Sequence, residues 1–373
     1  MKVLKFGGTS VGSTASLLKV KEIVGHETEP MIVVVSALGG VTNQLLSMTE
    51  QALGKDSAYE ATLAQLEERH MGIISDVVPA KRQQECREFV GEFISMSLGG
   101  MLRMLCLNDV PADIVADMRK SIVSCGEILS SAIVTMMLGA VPRFAPGFIK
   151  THRVGDDDVP DMELTADLIR KEMGAQLPAV TVTQGFISHD AATDKDTNLG
   201  RGGSDFTAAL IAAALDADAL EIWTDVDGFL SADPRVVPEA RLVNRLSFAQ
   251  AEDLCNGGAK VVYYPTIAPV REAGIPTWVK NTFRPEVPGT LIGGEMSEEA
   301  VAGVTSKGDM VTVVTQTGAD LARLADELMR ALMADDIALC PVSRTPQSVT
   351  FRLMRGDVTQ AVRMVHRALL EQG

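Results

Sequence analysis

Short runs rich in β-branched and apolar residues alternate along this chain with longer stretches of helical periodicity, and no other feature constrains the fold as tightly. Strands separated by helices are the pattern of βαβ units, in which a helical crossover makes neighbouring strands parallel. Runs at residues 3–6, 31–36, 148–152, 179–183, 219–224 and 276–280 read as strands. Helices are predicted from the turn after Gly8 to about Val24, from near Thr42, and over 128–138, 204–215 and 248–255. Residues 58–110 hold few strand signals and read as a helical insertion, its Met- and Leu-rich periodicity suited to packing on one side of a domain. The expected class is α/β with a mostly parallel sheet.

The C-terminal part breaks this alternation. Pro285, Pro288, Gly289, Gly293 and Gly294 precede an acidic stretch at 295–299, a composition shift that reads as a domain boundary. Beyond it come strands at 301–306 and 310–316, a helix at 319–334, strands at 337–342 and 348–353, and a last helix at 358–371. Counted from Met310 this is β-α-β-β-α, a small α+β unit.

Composition excludes several classes of function. With Lys plus Arg at 34 and Asp plus Glu at 49, the net charge of −15 removes any general attraction to nucleic acid or an anionic membrane. An anionic ligand would have to be held by a few placed cations and backbone N–H groups. No stretch reaches the roughly 18 apolar residues of a membrane span. The cysteines, Cys86, Cys106, Cys125, Cys255 and Cys340, never stand in a Cys-x-x-Cys pair, which argues against a disulfide framework and a zinc site. The expectation is a reduced, cytoplasmic chain.

Five segments carry chemistry. Lys5 ends the first strand, and Gly7-Gly8 then lets backbone approach an anion before a helix presents its free N–H groups. Alone this is also a simple strand–helix turn. Gly200-Arg201-Gly202-Gly203-Ser204-Asp205 leads into a second helix, with Ser204 as a candidate cap and Arg201 as a carboxylate ligand. Asp205 would complement the helix dipole even with no catalytic role. Thr224-Asp225-Val226-Asp227-Gly228 ends a strand in hydroxyl and carboxylate groups suited to a ribose, an adenine or a solvated Mg²⁺, or simply to an Asp-Gly turn. Lys260 follows Gly257-Gly258 as a candidate phosphate partner or a solvated surface lysine. Glu127, in Ser124-Cys125-Gly126-Glu127, reads as a helix-start residue that could pair with a substrate ammonium. P-loop and protein-kinase signatures are absent, as is a G-x-G-x-x-G after a strand.

In combination these segments resemble the aspartate kinases of the amino acid kinase family. The resemblance is carried by residues 5–11 (KFGGTSV), 35–43 (VSALGGVTN), 124–130 (SCGEILS), 199–208 (LGRGGSDFTA), 221–228 (EIWTDVDG), 233–235 (DPR), 258–262 (GAKVV) and 281–293. It implies a three-layer sandwich over residues 1–293, with an aspartate-side lobe at about 1–215 and a nucleotide-side lobe at about 216–293. An ACT-like regulatory domain, shorter than the family's usual pair of modules, would occupy 298–373. Carried over by motif, Lys5 and Gly8 would face the transferred phosphoryl group, with Gly7 beside them. Ser36, Thr42 and Ser204 would line the aspartate pocket, Arg201 would clamp a carboxylate, and Glu127 would meet the α-ammonium. Asp205 would keep the reactive centre in register. Thr224, Asp225, Leu230, Arg235 and Lys260 would form the nucleotide side.

The implied activity is Mg·ATP-dependent phosphorylation of the L-aspartate β-carboxylate, the entry to lysine, threonine and methionine. The nucleophile is already ionised at pH 7, so no general base is needed. Rivals are a kinase acting on a glutamate-type carboxylate, and a non-catalytic regulatory subunit. Two departures stand out: Leu230 follows Phe229 where family members commonly have Tyr after Asp-Gly, and Tyr263-Tyr264 precedes Pro265 where many have Leu-His. The short C-terminal unit belongs either to a natural short form or to part of a longer protein. It leads us to expect a homodimer through that unit and weak inhibition by lysine or threonine.

Overall fold

A computed structural model describes residues 1–107, 109–155, 157–174, 177–293, 301–316 and 318–370. It divides into two compact units, Met1–Asp225 and Val226–Gly373. The acidic stretch at 295–299 lies outside the described residues.

The first unit is the alternating α/β part. Its chain order runs β1 (Lys2–Phe6), α1 (Thr14–Gly25), β2 (Met31–Val35), α2 (Val41–Leu53), α3 (Ala58–Val77), α4 (Ala80–Glu92), α5 (Gly99–Leu105) and α6 (Ala112–Leu138). A π-helical turn at Phe93–Leu98 joins α4 to α5. Then come β3 (Val141–Arg143), β4 (Lys150–Val154), β5 (Asp157–Pro160), α7 (Met162–Met173), β6 (Val180–Gln184), β7 (Ile187–Asp190), β8 (Asp196–Asn198), α8 (Gly203–Ala214) and β9 (Ala219–Thr224).

Five of these strands line up in the order β9-β1-β2-β6-β3, all parallel, with Lys5 opposite Val34 on one side and Ile222 on the other. Strands buried on both faces read as continuous apolar runs, as β2 (MIVVV) does, while β1 (KVLKF) keeps that pattern only around Lys2 and Lys5. Leu4, Phe6, Val33 and Val35 point into a core shared with α1, α2 and α6. Strand alternation then sends Lys5 to the opposite face, where it meets Asp205 of α8.

Three expectations need correction. The helix read as starting at residue 128 begins at Ala112, so Glu127 lies deep inside α6 and not at a helix start. By length and composition α6 could cross a membrane, with an 18-residue window of mean hydropathy 1.7, yet 67% of that window is buried inside the protein. It is a core helix. Thirdly, β4 belongs to a separate sheet, β5-β4-β7-β8, whose other members the sequence pattern did not reveal. Asp157–Pro160 and Asp196–Asn198 are short and polar, so no run of β-branched residues marks them.

The second unit holds β10 (Arg245–Leu246), α9 (Phe248–Asn256), α10 (Ile267–Glu272), β11 (Thr277–Asn281) and β12 (Thr290–Ile292). After these follow β13 (Val301–Lys307), β14 (Met310–Thr315), α11 (Leu321–Met333), β15 (Ala338–Arg344), β16 (Ser348–Arg355) and α12 (Val358–Leu370). The last four strands make an antiparallel sheet, β13-β14-β16-β15, with the β-α-β-β-α order expected from Met310 onward. Its core takes in Ala232 and Val237 from the segment before β10. Ser231 Oγ lies 2.9 Å from His366 Nε2, both side chains buried, and Thr345 and Gln347 both donate to Asp253 Oδ2 of α9, at 2.6 and 2.7 Å. The C-terminal sheet is thus tied by polar contacts, the Ser231–His366 one buried, to residues that precede it in sequence.

Candidate active site

A cavity of about 280 Å³ opens at the C-terminal edge of the parallel strands of the first unit. Ligands of open α/β sheets bind at that edge. Lys5, Gly8, Ser36, Thr42, Glu127, Arg201, Ser204 and Asp205, all singled out from sequence, line it together.

Three backbone devices shape the cavity. The loop after β1 is pinned to the end of β9, with the Gly7 N–H and the Ser10 hydroxyl both donating to Trp223 O at 3.1 Å. The turn after β2 is held from α6: Ser130 Oγ donates to Ser36 O at 2.7 Å, and the Ala37 N–H donates to Glu127 Oε1 at 3.1 Å. Close packing of that turn on α6 requires Gly126, where a Cβ would fall 2.7 Å from that of Ala37. At the third wall, Gly202 caps α8 in the left-handed region at φ 74°, and the Asp205 N–H donates to Gly202 O at 3.0 Å. Ser204 is therefore not the cap; it lies inside the first turn, buried, with its side chain on the cavity.

The cavity wall carries charges of both signs. Lys5 Nζ sits 2.6 Å from Asp205 Oδ1, and both side chains are about nine-tenths buried, at 10% and 11% exposure. Glu127 is 4% exposed. Burial pushes its carboxyl up to about 8, against the opposing pull of the Ala37 N–H and the Lys5 charge. Its second oxygen, Oε2, is buried with no hydrogen-bond partner. A buried acceptor without a partner is costly, and a ligand donor in the cavity would satisfy it. Arg201 lines the same cavity from an exposed position.

The other expected residues are distributed differently. Thr224 and Asp225 end β9, where Thr224 Oγ1 donates to Asp225 Oδ1 at 3.2 Å. Leu230, Arg235 and Lys260 belong to the second unit. The Arg235 guanidinium is held by Asp233 through two hydrogen bonds, at 3.0 and 2.6 Å, while Lys260 is exposed and Leu230 is half-buried. Phe186 was missed: it lines the cavity at φ 69°, its N–H held by Thr207 Oγ1 at 3.1 Å. A bulky residue in that region is strained, and no sequence signal marks it.

Fold and cavity together define a class of protein: the chain belongs to the amino acid kinase family, whose family model matches residues 1–281. Its relatives specify the branch. The chain is 30% identical over 335 residues to the aspartokinase of Chlamydia trachomatis, covering 87% of this chain and 73% of that one, which places it among the aspartokinases. It is 32% identical over 306 residues to the chloroplastic aspartokinase 1 of Arabidopsis thaliana, with 78% of this chain and 51% of that one covered. Bifunctional aspartokinase/homoserine dehydrogenase 2 of Zea mays is also 32% identical, but the chain spans only 33% of its length. In fold, the crystal structure of Escherichia coli aspartokinase III in complex with aspartate and ADP superimposes with a TM-score of 0.84, at 22% identity, over 99% of both chains.

Proposed function

We propose that the chain is an ATP-dependent aspartate kinase, transferring the γ-phosphoryl group to the β-carboxylate of L-aspartate to give 4-phospho-L-aspartate and ADP. The observation that carries this reading is one cavity lined by an unpartnered buried carboxylate oxygen (Glu127), a guanidinium (Arg201) and a buried lysine (Lys5). These complement the three charged ends of the reacting pair: an α-ammonium, an α-carboxylate, and the developing charge between β-carboxylate and phosphoryl group. The aspartokinase branch of the family, and the aspartate and ADP bound by the Escherichia coli neighbour, support the same substrates.

In this reading the β-carboxylate oxygen attacks the γ-phosphorus, the bond to the ADP oxygen breaks, and no proton needs removing from the nucleophile. Catalysis then rests on placement and on cations where negative charge gathers. Lys5, set by Asp205, supplies that charge, and the Gly7-Gly8 backbone approaches the phosphoryl group. Ser36, Thr42 and Ser204 line the aspartate side. By family motif, Thr224, Asp225, Leu230, Arg235 and Lys260 are each assigned to the nucleotide, within a catalytic domain spanning 1–293 and followed by an ACT-like domain over 298–373. Mg²⁺ would be carried in on the nucleotide and would neutralise its phosphates as charge develops. The enzyme acts in the cytoplasm.

Hydroxylamine trapping of the acyl phosphate, with ATP, Mg²⁺ and a panel of aspartate, glutamate and N-acetylglutamate, tests the reading. Product from aspartate alone is expected. Product only from a glutamate-type acid, or from none of the panel, overturns it. Arg201→Lys is expected to raise the aspartate KM about tenfold or more while changing the ATP KM little, because a compact ammonium cannot reproduce a two-pronged guanidinium clamp. Equal weakening of both substrates would move Arg201 to the phosphates.

The proposed partner is a second copy, held through the C-terminal sheet. Among the described residues β15 is an edge strand, and Val342 on it is 46% exposed. Unpaired strand edges invite pairing with another chain. Light scattering at micromolar concentration is expected to give a dimer, and Val342→Lys a monomer. A wild-type monomer would refute the dimer and leave the catalytic reading untouched.

A further inference from the structure

Arg69 lies on α3, in the helical insertion, outside every motif that carries the catalytic reading. One guanidinium nitrogen, Nη2, donates to two backbone carbonyl oxygens at once: Gly12 O at 2.7 Å and Gly39 O at 2.8 Å. Gly12 belongs to the loop that follows β1 and carries Gly8 into the cavity wall. Gly39 belongs to the turn after β2, which starts at Ser36 and leads into Thr42 on the first turn of α2.

These two loops meet backbone to backbone. A Cβ on Gly39 would fall 2.9 Å from Gly8 O, and one on Gly12 would fall 3.0 Å from Gly8 O and 3.3 Å from the Gly39 nitrogen. No side chain of these glycines fills the junction, so packing there cannot be tuned by side-chain size. Two carbonyl dipoles instead converge on one point, an arrangement that repels unless a cation sits between them. The Arg69 guanidinium is that cation.

We propose that Arg69 is a positioning residue for phosphoryl transfer. It fixes the separation of the loop facing the phosphoryl group from the turn facing aspartate, and so sets the approach distance of the two reactants. The inference rests on the aspartate kinase reading for its catalytic consequence, though not for the staple itself. Arg69 is not among the residues that line the cavity. Its effect belongs in kcat, because misplacement of reacting groups by about an ångström costs up to about a hundredfold in rate.

The test has one activity arm and one structural arm. Arg69→Ala is expected to lower kcat about tenfold or more, with the aspartate and ATP KM values within about threefold of wild type. Arg69→Lys, which keeps a cation on a long stem, is expected to recover most of that loss, and guanidinium ion at tens of millimolar to rescue Arg69→Ala in part. Amide hydrogen exchange is expected to quicken at Gly8, Gly12, Gly39 and Gly40 in Arg69→Ala, with the strands of the parallel sheet unchanged. Should Arg69→Ala not fold, Arg69→Gln carries both arms with the same expectations. A kcat within twofold of wild type, or faster exchange spread evenly through the unit, overturns the proposal. If wild type itself fails to phosphorylate aspartate, the functional reading falls, and the exchange arm alone decides the staple.

Discussion

Lys5→Met is expected to lower kcat by about 10²–10³-fold while ATP and aspartate still bind, the cost of losing one charge aimed at the transition state. The structure adds a second consequence. Lys5 Nζ is 2.6 Å from Asp205 Oδ1 in a buried setting, so the variant takes one counter-charge away from a buried carboxylate. Breaking a buried pair from one side typically costs about 3–5 kcal/mol, so a marked fall in thermal midpoint should accompany the loss of rate. The double variant Lys5→Met/Asp205→Asn removes that carboxylate charge and is expected to regain most of the stability and none of the activity. Steady-state rates and thermal unfolding on the three proteins separate the two effects. Activity within a factor of a few of wild type, in a folded Lys5→Met protein, would take Lys5 out of the mechanism.

The second large effect belongs to Glu127. In the ligand-free protein its carboxyl is raised to about 8, chiefly by burial, so near neutral pH it is mostly protonated. In the proposed reading the substrate ammonium needs the carboxylate, so aspartate binding is expected to release a proton below about pH 8. Each unit of pH lost below that point is expected to weaken apparent aspartate affinity by close to tenfold, the limit for one proton. Lys5, Asp205 and Arg201 also border the cavity, but the slope should disappear in Glu127→Gln, where no proton is left to release. That variant should also bind aspartate at least thirtyfold more weakly, since truncating one partner of a buried charge pair costs about 2–5 kcal/mol.

Stability must move the other way. A carboxyl whose folded pKa lies above its unfolded value contributes stability that is complete below the unfolded value near 4.5 and is lost as pH rises toward about 8. Glu127→Gln escapes that loss and is expected to melt higher than wild type at pH 8, with the gap closing toward pH 5. Calorimetry across that range reads it directly. A variant that melts lower than wild type at pH 8, or an aspartate affinity that is flat from pH 6 to 8 in wild type, would contradict a protonated Glu127.

How much of this was legible beforehand varied from residue to residue. Lys5, Gly8 and Arg201 could be found because anion chemistry at a sheet edge demands glycine-flanked cations at strand and helix ends, and such short-range patterns survive in a linear chain, whereas Asp205, which a helix dipole alone would explain, was nominated only through the family motif. Glu127 could be nominated but not placed. The reading that put it at a helix start missed that α6 begins at Ala112, since nothing in residues 112–127 marks a break and nothing in them announces how far a helix extends. Phe186 and Arg69 were invisible. One is a cavity wall held at φ 69° by Thr207, and the other is a surface-type residue in a charged helical stretch, given its role by carbonyls 57 and 30 residues away in sequence.

By itself, then, the sequence determined the parallel α/β class, the small C-terminal α+β unit, the acidic surface and the identities of the charged groups at the strand and helix ends. Those follow from local periodicity, turn chemistry and net charge, each of which acts over a few residues or over the whole chain at once. Only the tertiary structure decided that Lys5 and Asp205 pair, that Glu127 is buried with an oxygen left over, and that one guanidinium spans two glycine loops. Desolvation and backbone approach depend on which distant segments meet. That is a property of packing, set by groups far apart in sequence, and no window of neighbouring residues contains it.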